Sequence, residues 1–173
     1  PPVDLSPANL KVGSPEIAVD ANGNVTAVWG RDGLSNRFIQ ASTKPFGSNW
    51  QATPDTLSQT GIDSFVPQIA VDPSGNATAV WRSFEVGGSI IVASTKPFGG
   101  SWQATPDKLS QAGEDADVPQ IAIDANGNAT VVWARLNGGK WVIQASTKLF
   151  GGSWQVTPNT LSQLGQDADP PQI

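Results

Sequence analysis

Pro67-Gln68-Ile69-Ala70-Val71-Asp72 decides the fold, because it comes back. The same six positions read Pro15-Glu16-Ile17-Ala18-Val19-Asp20 before it and Pro119-Gln120-Ile121-Ala122-Ile123-Asp124 after it, and Pro171-Gln172-Ile173 begins them again. The interval is 52 residues each time. Working outward, Trp29 recurs as Trp81 and Trp133, Ala41-Ser42-Thr43-Lys44 recurs at 93–96 and 145–148, and Trp50 recurs as Trp102 and Trp154. The second and third copies agree at about 32 of 52 positions. Self-similarity at a fixed period marks one supersecondary unit that buries its apolar faces by stacking on copies of itself.

Each copy reads as four short strands. Gln68 to Asp72 is an apolar run, Pro73-Ser74-Gly75-Asn76 a turn, and Ala77 to Arg82 a second run. Ser83 to Gly88 is a second turn, and Ser89 to Thr95 is a third strand carrying Ile90-Ile91-Val92. After the Pro97-Phe98-Gly99-Gly100 loop a fourth strand is expected to start at Ser101-Trp102-Gln103, and Gln111-Ala112-Gly113 links to the next copy. No helical periodicity is visible. The pattern predicts an all-β fold, a β-propeller of four-stranded antiparallel blades of about 52 residues. Three blades are expected, at 15–66, 67–118 and 119–170, with 1–14 closing a preceding blade and 171–173 opening a further one. Runs such as Val131-Val132-Trp133 suit strands covered on both faces. The repeated tryptophans read as packing between blades.

The 173 residues include no Cys, Met, His or Tyr. That removes a thiol nucleophile, an imidazole base, a Cys/His zinc site, a disulfide and the Ser-His-Asp and Cys-His triads. No cofactor is called for. With 10 Lys and Arg against 15 Asp and Glu, the net charge of -5 and the lack of any basic run argue against a nucleic-acid partner. No apolar stretch approaches the ~18 residues of a membrane span. The chain begins Pro1-Pro2 without Met, as expected of a processed form or a part of a longer polypeptide.

Taken together, Pro-Gln-Ile-Ala-Val-Asp, Gly-Asn, Ala-Val-Trp, Ala-Ser-Thr-Lys, Gly-Gly-Ser-Trp and Leu-Ser resemble the repeats of bacterial propellers of the sialidase-like, BNR-type (Asp-box-like) group, over essentially the whole chain. The resemblance implies a propeller that cleaves sialosides, binds sugars or serves as a scaffold. Sialidase chemistry uses a Tyr nucleophile, which is missing here. The expectation is therefore a non-enzymatic, extracellular or cell-surface module that binds a glycan, lectin-like, or a protein. The alternatives are an adhesive scaffold without a small ligand and a glycoside hydrolase remnant.

Candidate sites fall in three places. Asp20-Ala21-Asn22-Gly23-Asn24 resembles the start of a calcium loop, but lacks a downstream bidentate Glu and reads first as a hairpin turn. Asp115 and Asp117, with Glu85, are the acids available for two-carboxylate chemistry, but a solvated loop face explains the Asp115/Asp117 pair better. The second turn is where the copies diverge, and it supplies the candidate ligand-binding residues Arg37, Arg82, Glu85, Arg135 and Trp141, with Trp141 able to stack on a sugar. Propellers close with roughly 4 to 8 blades. Three need completion, by a second copy giving six or by more blades of a longer array.

Overall fold

A computed structural model describes residues 3–6 and 10–172. The chain forms three four-stranded antiparallel sheets, one per repeat, each a simple meander. The first sheet is β1 (Val12–Val19), β2 (Val25–Asp32), β3 (Arg37–Lys44) and β4 (Asp55–Thr56). The second is β5 (Ser64–Val71), β6 (Ala77–Glu85), β7 (Gly88–Lys96) and β8 (Asp107–Lys108), and the third is β9 (Ala116–Ile123), β10 (Ala129–Asn137), β11 (Lys140–Lys148) and β12 (Asn159–Thr160). The first strands, called the hub strands below, lie side by side in chain order, β1 against β5 and β5 against β9.

The β1–β2 turn is held by a clasp that the sequence repeats. Asp20 Oδ1 accepts the backbone N–H groups of Asn22 and Asn24 at 2.9 and 2.8 Å, and Oδ2 accepts Asn24 Nδ2 at 2.8 Å. Asn24 Oδ1 in turn accepts the backbone N–H of Phe46, at 2.8 Å, so the turn and the β3–β4 loop are tied together. Asp72 with Asn76 and Phe98, and Asp124 with Asn128 and Phe150, repeat the arrangement. Gly75, at φ 84°, faces the ring of Phe98, where an added Cβ would lie 2.8 Å from it. Glycine is required at that point twice over, by backbone and by space.

Blade-to-blade packing is the core. Leu57, Ile39 and Val28 of the first blade meet Trp81, Ile90 and Ile69 of the second. One repeat later, Leu109, Ile91 and Val80 meet Trp133, Trp154 and Ile121 of the third. Trp81 and Trp133 are fully buried, as their recurrence predicts.

Three boundaries differ from the sequence expectation, the first being the second turn, which is confined to Val86 and Gly87 because β6 runs on to Glu85 and β7 starts at Gly88. The fourth strand does not start at Ser101-Trp102-Gln103; it is the two-residue β8, because Pro106 follows a turn and Gln103 makes only one ladder-like bond, to Thr95 O at 3.1 Å. The first strands begin earlier than Gln68, at Val12, Ser64 and Ala116, and carry Pro15, Pro67 and Pro119 inside them. Proline is tolerated because each lies at a β-bulge on the hub edge of its sheet. There Ser14, Val66 and Val118 adopt φ of 51°, 44° and 45°, a conformation that L residues avoid.

Candidate functional site

Only two acids lie on the hub strands. Glu16 is on β1 and Asp117 on β9, and β5 has none. Both stand where the copies break the template: Glu16 replaces the glutamine of Gln68 and Gln120, and Asp117 corresponds to Gly13 and Phe65. Glu16 Oε1 accepts Gln68 Nε2 of the next blade at 3.2 Å. Among the described residues no cation lies within ion-pair distance of it. Asp117 Oδ2 is paired with Arg82 Nη1, and its Oδ1 accepts the backbone N–H of Val118, the bulge residue, at 2.7 Å. The bulge therefore aims this carboxylate back across the blade boundary.

A layer of cations and rings supports Asp117. The Arg82 guanidinium lies 5.3 Å from the Phe65 ring and 5.0 Å from that of Phe84, and the two rings meet edge to face at 5.6 Å. The Arg37 guanidinium lies 5.7 Å from the Phe65 ring and pairs with Asp32 at 2.6 Å. The stack Asp32–Arg37–Phe65–Arg82–Asp117 thus runs through all three blades. It fits because the first blade has Gly30 where the second has Arg82: a Cβ at Gly30 would come within 2.7 Å of Arg37 Nε.

The residues singled out on the variable turn are distributed as follows. Arg37 and Arg82 converge on Phe65. Glu85 pairs with Lys108 of β8 at 2.5 Å, at the outer edge of its blade. Arg135 is buried, donating to Gln111 O at 2.7 Å with Nε 3.6 Å from Glu114. Trp141 is tied by its backbone, donating to Asp167 at 3.1 Å and accepting from Ala168 at 2.9 Å.

Asp115 is occupied. It accepts the backbone N–H and the hydroxyl of Ser89 at 2.8 and 3.0 Å, and those two bonds, with the charge of Arg82, hold its carboxyl below the usual range. Asp63 and Asp167 receive the backbone N–H groups of Arg37 and Trp141 in the same way. These acids anchor the links between blades. Of the three carboxylates proposed from sequence for acid/base work, Asp115 is tied to Ser89, Glu85 to Lys108 and Asp117 to Arg82. Glu16 was missed, although its signal was present as the one acidic substitution in the repeated Pro-Gln-Ile-Ala motif.

The opposite end of the blades carries two clefts in 52-residue register. One, of about 410 Å³, lies between the first and second blades and is lined by Asn24, Thr43, Asn49, Lys96 and the exposed Phe98. The other, of about 300 Å³, is bordered by Asn76, Thr95, Lys148 and Phe150. Asp20 and Asp72 reach these clefts with their carboxylates already engaged by the turn clasps. Among the described residues no group of three or more acidic side chains is placed to hold a metal ion.

No family model and no curated protein matches the chain. Among solved structures it is similar to the crystal structure of endo-arabinase from Bacteroides thetaiotaomicron VPI-5482, with a TM-score of 0.58 and 15% identity, over 86% of this chain. The fold is propeller-like. The chain spans 61% of the length of that structure. The likeness corrects the expectation of a non-enzymatic binding module, since the architecture into which the repeats fold is one that an enzyme uses. It brings no support for the narrower sialidase-like, BNR-type kinship.

Proposed function

We propose that the chain carries blades of a glycoside-hydrolase-type propeller, with a polysaccharide as substrate and Glu16 and Asp117 as its working carboxylates. The observation that carries this reading is that the only two acids on the hub strands are both departures from the repeat template. Glycosidases need two carboxyl groups on either side of the scissile bond, one to protonate the leaving oxygen and one to activate water or attack. Asp117, oriented by Arg82 and by the backbone N–H of Val118, is assigned the second role. Glu16, bonded to an amide and facing no cation, suits the first. The endo-arabinase likeness supports the substrate class. On this reading the protein would work outside the cell or at its surface, where polysaccharides are met.

The test is release of reducing ends from arabinan and a panel of other polysaccharides. Glu16→Gln and Asp117→Asn are each expected to lower kcat by about 10²–10⁴-fold, the contribution of a positioned acid or base, with circular dichroism unchanged. A wild-type chain that releases nothing from the panel, or variants as active as the parent, would sink the assignment.

A further inference from the structure

Equivalent residues of the repeat differ in exposure in a way that locates an interaction surface. Leu57 and Leu109 are 4% and 2% exposed, because a following blade covers them; Leu161, the same residue in the third blade, is 61% exposed. At the other end the order reverses. Ile121 is 9% exposed under the preceding blade, and Ile17, its counterpart in the first, is 62% exposed. The two open faces are therefore the two halves of one interface that the molecule already makes twice. They are complementary because each inner joint is built from the same positions.

We propose that these faces meet between two copies of the chain, head to tail, the Leu161 face of one closing on the Ile17 face of the other. A head-to-tail contact closes only if its rotation does so. Two joints between two copies give six blades, inside the range over which propellers close. One seat is contested, since Leu5-Ser6 repeats Leu57-Ser58 and Leu161-Ser162. The later copy has the stronger claim. β12 is paired into its sheet through Thr160 and Asn159, and Ser162 Oγ accepts the Ile143 N–H at 2.9 Å, whereas residues 3–6 belong to no strand. Residues 3–6 therefore yield as the joint forms. This proposal does not depend on the carboxylate assignment.

Sedimentation and light scattering test it. The 18.0 kDa chain is expected as a two-chain particle of about 36 kDa. Ile17→Asp and Leu161→Asp alter side chains that are exposed in the single chain, so each variant keeps its fold by circular dichroism while running as a monomer. Mixing the two variants restores a pair, because one joint between them is intact; a face-to-face contact of like surfaces would not recover on mixing. A folded wild-type monomer overturns the proposal. So does a pair indifferent to both substitutions, or a natural polypeptide whose own further repeats cover both faces.

Discussion

At the scale of single residues, the carboxylates do most of the organising. Asp20, Asp115, Asp124 and Asp167 are all held below their ordinary value of 3.8. For Asp20 burial works against this, and the side-chain and backbone N–H groups of Asn24 overcome it. For Asp124 the side chain of Asn128 leads, and for Asp167 the ammonium of Lys140. A carboxyl group depressed in the folded state contributes stability that is present above its unfolded value and lost as pH falls through the folded one. The urea midpoint is therefore expected to be flat from about pH 7 down to about pH 5 and to fall below about pH 4, with Asp115→Asn removing part of the acid slope. A midpoint that declines already between pH 7 and pH 5 would contradict this account. The sequence showed Asp20-x-x-Gly-Asn as a turn, since Asn and Gly at a hairpin tip explain themselves. It could not show that Asp117, rather than its neighbour Asp115, points at a cation. That choice is made by the bulge at Val118, and the recurring Pro119 marks that bulge in the sequence without showing which neighbouring acid it turns toward Arg82.

At the scale of the strand and the blade, the repeat predicted the elements well wherever side chains pack and poorly where they do not. The second and third strands are apolar runs pressed between blades, and they lie where the sequence put them except that they run on into the expected second turn, to Glu85 and from Gly88. The fourth strand is two residues long, and its ladder is too short to impose a pattern. Trp102 drew the expectation to itself because a tryptophan suggests a strand, yet it packs from a loop. One experiment measures how much a following blade matters. Leu109→Ala removes a fully buried side chain and is expected to lower stability by about 2–5 kcal/mol. Leu161→Ala, the same change at the open end, is expected to stay within about 0.5 kcal/mol at concentrations where the chain is single. Equal losses in chemical denaturation would show that the end face is covered in the free chain.

For the whole molecule, stability in a stacked array is approximately a sum of unit terms and nearest-neighbour interface terms. Three blades supply two interfaces. A chain lengthened by a further copy of residues 67–118 gains one more, and its denaturation midpoint is expected to rise, whereas an unchanged or lower midpoint would mean that the blades do not stack as independent, equivalent joints. The candidate site was less legible than the architecture for a physical reason. Repetition announces packing, because every blade needs the same face, but a site at the hub is assembled from single departures in different blades, each looking like drift on its own. Equivalent joints also have a hereditary consequence. Because the leucine of every blade meets the tryptophan of the next, a slip of 52 residues during copying of the gene, whether it removes a repeat or adds one, joins two faces that already fit. Blade number in this lineage can therefore change in a single recombination event, without a compensating mutation anywhere in the core.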